Sequence, residues 1–241
     1  MELEIEGIVI STTPIKEKDA MINLLTPNGR VGFFARSVMS YSNKNSSSCL
    51  LFSHSRFLLG SRGDNLSLKK GEIVNSYYKL YESIETMTAL SIMSEMTMKL
   101  LHEDEGSEYD LFLKILNCLS SGFDSLTLIT IYLANLIKLS GYSLNYDCCI
   151  NCGSTKNIVA VSYYNGGFIC SKCNENRLSK EENQYLKTFR YVFKVDINDI
   201  DKIELNRKIT KRLLKDLLDY IKDKFSFRKW NGEELYFNSI D

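Results

Sequence analysis

The chain has 241 residues with 30 basic and 30 acidic side chains, and 44% of its residues are hydrophobic. This balance excludes a disordered chain and a strongly basic protein that coats nucleic acid, but it permits local basic patches. The charge is unevenly spread, because residues 81–147 carry ten acidic and three basic side chains, between mildly basic flanking regions. Such alternation indicates distinct modules.

Residues 1–80 are predicted to form short strands separated by turns. Pro27-Asn28-Gly29-Arg30 lies between two apolar runs, and Asn-Gly in that position is typical of a β-hairpin. The predicted strands cover residues 3–10, 21–26, 31–35, 49–59 and 72–78. About five short strands in this length predict a small closed barrel of the OB-fold type.

The apolar residues then take a helical period. They recur at three-residue steps from Ile84 to Met96, which places them on one face of a helix. Ser107 and Asp124 are candidate caps for two further helices. Residues 81–141 are therefore predicted to form about three packed helices, each too short to be stable alone.

Two more helices are predicted near the C-terminus. Ser179-Lys180-Glu181-Glu182 has the pattern of a capping box and predicts a helix start. Asn206 is a candidate cap for a long last helix with an apolar stripe that needs a core. The fold class is therefore α+β, with an N-terminal barrel followed by an α-helical domain.

Two Cys-x-x-Cys motifs are the most specific chemical feature of the chain. Cys149 and Cys152 form the first, and Cys170 and Cys173 form the second, 17 residues further on. This spacing is typical of a four-cysteine zinc site. Four thiolates leave no position for water, so the predicted role is structural. Cys148 adjoins Cys149 and is an alternative first ligand.

Catalysis has little support in the sequence. His54 and His102 lie in no recognisable motif, and the chain contains no Gly-rich phosphate loop, G-x-S-x-G or H-E-x-x-H pattern. A zinc hydrolase would need an open metal position. We therefore expect a protein that is not an enzyme.

Candidate DNA-binding residues fall in two groups. OB-folds bind single strands with aromatic side chains in a basic groove, and Tyr41 is among the aromatics interleaved with the basic residues of the barrel. A second cluster opens the last helix, where the dipole favours an external phosphate, although a solvated helix face is an equal alternative. The candidates are Lys16, Arg30, Phe33, Arg36, Lys44 and Arg56 in the barrel, and Arg207, Lys208, Lys211 and Arg212 in the helix.

The N-terminus lacks a basic region followed by an apolar run, and no apolar run reaches 18 residues. We therefore expect a cytoplasmic protein without membrane contact. Seven cysteines in such a chain favour metal binding over disulfides.

Several short segments, taken in order, resemble the RecO family of bacterial recombination mediators and DNA-repair proteins. Their spacing along the chain, rather than any one of them, carries the resemblance, which covers nearly all residues. The segments are residues 7–10, 17–20, 24–31, 141–144, 149–153 and 166–170.

The resemblance implies an OB-fold at residues 1–80 and a helical domain at 81–241 with a zinc-binding insertion at about 146–178. It implies a nucleoid-associated mediator that binds single- and double-stranded DNA and anneals complementary strands. Such a protein helps to load RecA on strands coated with SSB, acting with RecR and contacting the SSB C-terminal tail. Structural Zn²⁺ is the implied cofactor, and RecA is an indirect partner.

One segment departs from the family. After the second hairpin strand the family usually has a basic stretch, whereas here residues 35–44 retain only Arg36 and Lys44 as cations. This departure predicts weaker DNA binding by the barrel. The alternative function is a zinc-stabilised protein–protein adaptor without appreciable DNA binding of its own.

Overall fold

The computed structural model describes residues 2–102, 106–174, 178–226 and 232–240. The chain divides into two compact units, Met1–Leu90 with His102–Ser121, and Ser91–Leu101 with Gly122–Asp241. The predicted division into domains at residue 80 stays a prediction. Within the described ranges, no helix is long and apolar enough to cross a membrane.

Five strands of the first unit form a closed barrel in the order β1-β2-β3-β5-β4. All neighbouring pairs are antiparallel except β3 and β5, which pair in parallel at Phe34 and Ser67. The strands are β1 Glu2–Pro14, β2 Ala20–Thr26, β3 Gly29–Ala35, β4 His54–Arg62 and β5 Asn65–Asn75. The predicted OB-fold is confirmed.

The predicted hairpin lies between β2 and β3. The Thr26 hydroxyl donates to the Gly29 carbonyl at 2.7 Å and accepts the Asn28 amide at 3.2 Å, and Gly29 has a φ of 110°, which a side chain would strain. Inside the barrel the rings of Phe33 and Phe57 lie 5.1 Å apart. Alternate residues of the strands thus form a closed apolar core.

Two predicted strand boundaries differ from the structure. The prediction over residues 49–59 starts too early, because Ser47–Cys49 is a single 3₁₀ turn and Phe52 has a φ of 66°, so that β4 begins only at His54. The prediction over residues 72–78 covers only the end of β5. The earlier part of β5 alternates exposed polar residues with half-buried Leu66 and Leu68, which pack against the barrel core. This alternation contains only two apolar residues before Lys69 and Lys70, and the prediction missed it.

Two helices begin in the first unit. Helix α1 covers Ile84–Leu100, and α2 covers Tyr109–Ser120. The Tyr77 hydroxyl donates to Asn117 Oδ1 at 2.8 Å, and the rings of Phe52 and Phe112 stack at 6.5 Å. Helix α2 therefore packs within the unit that contains the barrel.

The second unit is mainly helical. Helix α3 is buried along most of its length and packs against both α4 and α5, as its apolar composition requires. Between α3 and α4 lies a small antiparallel sheet. The elements are α3 Ser125–Leu139, β6 Ile158–Ser162, β7 Gly167–Cys170, α4 Asn183–Lys194, α5 Arg207–Phe225 and α6 Glu233–Ser239.

Two of the predicted helix caps are present. The Asp124 carboxylate accepts the Thr127 amide at 2.8 Å at the start of α3. The Asn206 side chain accepts the Ile209 amide at 3.1 Å at the start of α5. Both contacts satisfy a backbone donor that the first turn of a helix leaves open.

The predicted capping box at residues 179–182 is wrong. Helix α4 begins at Asn183, and its N-cap residue Glu182 makes no capping hydrogen bond with its side chain. Glu181 is used elsewhere, because its amide donates to the Val159 carbonyl at 2.8 Å and its carboxylate pairs with Arg212 at 2.9 Å. Glu181 therefore makes contacts with distant residues instead of the capping contact that the local sequence predicted.

We predict that Asn206→Ala lowers the free energy of unfolding by about 1 kcal/mol, because the first turn of α5 loses its cap. Chemical denaturation monitored by circular dichroism measures the change. Asn206→Asp keeps an acceptor at the same position and is the matched control. An unchanged midpoint for Asn206→Ala would contradict the capping role.

Candidate metal centre and nucleic-acid interface

Four cysteines of the second unit meet at one point. The sulfur atoms of Cys149, Cys152, Cys170 and Cys173 all lie within 4.8 Å of one another, and those of Cys152 and Cys170 are 3.6 Å apart. Tetrahedral zinc with Zn–S bonds of about 2.3 Å places its sulfurs about 3.8 Å apart. These four side chains, the four-thiol cluster, could therefore hold a metal ion.

Backbone contacts hold the two cysteine motifs together. The Cys149 amide donates to the Ser154 carbonyl, and the Gly153 amide returns to the Cys149 carbonyl, both at 2.8 Å. The Ile150 amide donates to the Phe168 carbonyl at 2.9 Å. Because Phe168 belongs to β7, which ends at Cys170, the first motif is attached directly to the strand that carries the second.

Asn145 is a supporting residue that the sequence did not reveal. Its backbone accepts the Phe168 amide at 2.9 Å and donates to the Gly166 carbonyl at 2.8 Å. Gly167 lies so close that an added Cβ would stand 2.3 Å from the Asn145 carbonyl oxygen. The φ of Gly167, 145°, also favours glycine. A glycine at this position therefore permits the close approach.

The sulfurs of the cluster have unequal affinities for protons. Burial opposes ionisation of Cys149, but backbone amides of Cys170, Asn151 and Cys152 outweigh it and lower the pKa of Cys149 to about 6. A hydrogen bond with Cys152, together with burial, raises the pKa of Cys173 to about 12. Neighbouring thiolates repel one another. Full ionisation of the four thiols therefore requires a cation among them.

Cys148 has a different environment. Its amide donates to Asn145 Oδ1 at 3.0 Å, and the Asn145 amide group lies 3.5 Å from its sulfur. It does not belong to the group of sulfurs that lie within 4.8 Å of one another. The geometry therefore favours Cys149 as the first ligand.

A buried polar network connects the small sheet to two helices. The hydroxyl of Tyr163, which follows β6, lies 2.7 Å from that of Tyr185 on α4, and Tyr185 donates to Asp216 Oδ2 on α5 at 2.5 Å. Arg212 lies over the Tyr185 ring at 4.5 Å and pairs with Glu181. Burial raises the pKa of Asp216. The sheet beside the four-thiol cluster is thus attached to the helical core.

Three of the basic candidates of the barrel lie at one end of it, and Arg30 lies away from them. Lys16 is in the β1–β2 turn, and Arg36 follows Ala35, which pairs with Ala20 at the start of β2. Asn43 Nδ2 donates to the Arg36 carbonyl at 3.1 Å, which brings Lys44 to the same end of the barrel. Arg30 is the second residue of β3, five residues before Ala35 and therefore roughly 17 Å from that end.

Two other barrel candidates have structural contacts. Phe33 is completely buried in the barrel core, so the prediction that its ring stacks on bases is wrong. Adjacent strand residues face opposite sides, and the register places Phe33 inside. Arg56 is exposed, but its guanidinium binds the Glu6 carboxylate at 2.7 and 3.1 Å, which neutralises part of its charge.

The cationic side chains at the start of α5 also differ. Arg207 pairs with Asp124 at 2.7 Å, and Arg212 pairs with Glu181 at 2.9 Å. The Lys211 ammonium lies 6.0 Å from the centre of the Phe237 ring, and Lys208 is exposed. Two of the four therefore share their charge with neighbouring carboxylates.

His54 has a structural environment. Its Nε2 lies 3.1 Å from Glu6 Oε1 and 3.1 Å from the Tyr109 hydroxyl, which joins β4 to α2 inside the first unit. Burial lowers the pKa of His54, and the Glu6 carboxylate offsets only part of this effect. The neutral imidazole is therefore favoured.

Comparisons with known proteins match this arrangement. The family model "Recombination protein O N terminal" matches residues 1–77, and "Recombination protein O C terminal" matches residues 81–229. The DNA repair protein RecO of Bacillus pumilus is 26% identical over 234 residues, or 94% of this chain and 90% of that protein. Those of Halalkalibacterium halodurans and Bacillus mycoides are 24% and 25% identical over 92% of this chain, and over 89% and 91% of their own lengths. The chain belongs to the RecO family.

Proposed function

We propose that the protein is a recombination mediator that binds DNA and anneals complementary single strands. The observation that carries this proposal is the group of cations Lys16, Arg36 and Lys44 at one end of an OB-fold. In the described part of the chain these three form no ion pair, whereas Lys69 and Lys70 of the same barrel pair with Glu2 and Glu72. Unpaired cations are available to phosphates.

Annealing places modest chemical demands on the protein. Two strands repel each other through their phosphates, and a surface that neutralises part of this charge while leaving bases accessible lets them pair. No bond is made or broken in the DNA backbone, so no catalytic residue is needed. The protein therefore acts by binding and not as an enzyme.

Family membership supports partners in recombination in general, and the specific partners are part of the proposal. We propose that the chain acts with RecR, contacts the C-terminal tail of SSB, and helps RecA to replace SSB on single strands. Binding of RecR or SSB without any binding of DNA would instead favour the adaptor function.

The four-thiol cluster is proposed to bind Zn²⁺. Thiolate ligands suit zinc, and four of them complete a tetrahedral shell. When bound, zinc supplies a positive charge and a rigid cross-link between the two cysteine motifs. Asn145, Gly167 and the backbone amides around Cys149 hold the ligands in place, so the role of the site is structural.

We predict that the double change Arg36→Ala and Lys44→Ala weakens binding to a single-stranded oligonucleotide. It should also reduce the slope of log K against log salt by about 1.4, because two phosphate contacts are lost. Fluorescence anisotropy at several salt concentrations measures both values. Lys69→Ala with Lys70→Ala removes the same formal charge from paired side chains and is the matched control.

Equal losses in the two double variants would contradict a specific site at this end of the barrel. Absence of DNA binding by the wild type at every salt concentration would reject the proposed function. Annealing of complementary strands should follow the same order, with the wild type and the control both faster than Arg36→Ala with Lys44→Ala.

We predict that Cys170→Ser loses bound zinc and destabilises the second unit, because a buried ligand is removed. Elemental mass spectrometry measures the metal, and thermal unfolding measures stability. Cys148→Ser changes a neighbouring thiol outside the cluster and should retain one zinc per chain. A stable Cys170→Ser protein without metal would disprove the structural role, and loss of zinc in Cys148→Ser would disprove the ligand set.

A further inference from the structure

The segment that connects β3 to β4, residues 36–53 or the β3–β4 linker, forms one side of an apolar cleft. The cleft has a volume of about 530 Å³ and is lined mainly by Thr12, Val38, Met39, Tyr41, Cys49 and Leu50. This size falls within the range of pockets that bind small organic groups, about 300–1,000 Å³. All of its lining belongs to the first unit.

The rim of the cleft exposes large apolar side chains. Met39 and Leu50 are each about half exposed, at 49% and 48%, and Tyr41 is fully exposed at 104%. A tyrosine with both ring faces in water leaves apolar surface uncovered. It also offers a rigid flat surface, which nucleic-acid-binding proteins use to stack bases.

The linker is irregular but held in place. The Ser37 amide donates to the Asp19 carboxylate at 2.8 Å, and the Met39 amide donates to the Lys18 carbonyl at 2.9 Å. On the other side of the cleft, the Thr12 hydroxyl donates to the Cys49 carbonyl at 3.3 Å. The cleft is therefore formed before a ligand arrives, which lowers the cost of binding.

The charge around the cleft is positive. Residues 36–50 contain Arg36 and Lys44 and no acidic residue. The neighbouring β1–β2 turn carries Lys16 and Lys18 together with Glu17 and Asp19, so it adds no net charge, and its Asp19 carboxylate accepts the Ser37 amide. An anionic ligand that also carries flat apolar groups matches both features, and a single strand of DNA is such a ligand.

We infer that the linker cleft takes one unpaired base of a single strand, stacked on Tyr41, with Arg36 and Lys44 on the flanking phosphates. This inference rests on the proposed DNA binding and adds the position of a base. Stacking also compensates for the small number of cations in this linker.

The test uses the full chain with two oligonucleotides of equal length, oligo(dT) and an abasic strand with the same phosphates. Stacking requires that the wild type bind oligo(dT) more tightly than the abasic strand. Tyr41→Ala should lose roughly 5- to 150-fold in affinity for oligo(dT) and little for the abasic strand. Tyr41→Trp should retain the preference for bases.

Tyr164→Ala is the matched control, because Tyr164 is 88% exposed and lies in the other unit. It should bind both strands like the wild type. Since Tyr41 is fully exposed, its replacement should leave the thermal unfolding midpoint unchanged, which confirms that the variant is folded. Photo-crosslinking with a strand that contains 5-iododeoxyuridine should give an adduct on Tyr41.

The outcomes separate the inference from the proposed function. If Tyr41→Ala binds oligo(dT) as tightly as the wild type, the inference fails and DNA binding stands. If the wild type binds neither strand, both fail. If Tyr41→Ala loses affinity only for an acidic peptide, the cleft belongs to a protein partner and the inference is overturned.

Discussion

Crowding of four sulfur atoms is the constraint on which the structure around the small sheet depends. Thiols held within 4.8 Å of one another cannot all ionise in isolation, because each new charge raises the cost of the next. The strands β6 and β7 have only five and four residues, and a two-stranded sheet of this size is marginal in water. The tyrosine–aspartate network behind the sheet compensates in part for its small core, and a cation held by the four sulfurs would add to this.

Ion pairing with carboxylates, more than the number of charged residues, determines which cations this protein leaves available to a ligand. Equal numbers of acidic and basic residues suggest a neutral surface, yet many cations are held by a carboxylate. Arg56, Lys69 and Lys70 are examples in the barrel, and Arg207 and Arg212 are examples on α5. Arg36 and Lys44 of the β3–β4 linker are among the cations that none of the described ion pairs holds. The basic character of this linker is local and does not appear in the total charge.

Local rules predicted the features that depend on neighbouring residues. The Pro27-Asn28-Gly29 turn, the caps Asp124 and Asn206, and the two cysteine motifs all follow from short spacings. These features need only a few backbone angles or a few donors. The sequence was sufficient for them and for the barrel-then-helices order.

Features that depend on distant partners were missed. A helical stripe shows which face of α2 is apolar but not which element covers it, and in the structure α2 contacts barrel-side residues such as Phe52. Adjacent Phe33 and Phe34 could each have faced the core, and strand register placed Phe33 there. The β6–β7 sheet is too short to show a period of its own.

Gly167 has a consequence for how such chains can vary. A zinc ligand can be exchanged for another donor, as histidine replaces cysteine in many sites. By contrast, no side chain fits at Gly167, where the backbone of Asn145 occupies the space. A related chain could therefore exchange one of its cysteines for another metal ligand and still form this hairpin, provided that it kept the glycine. Gly167, which carries no functional group, is therefore the residue by which this hairpin can be recognised in distant relatives.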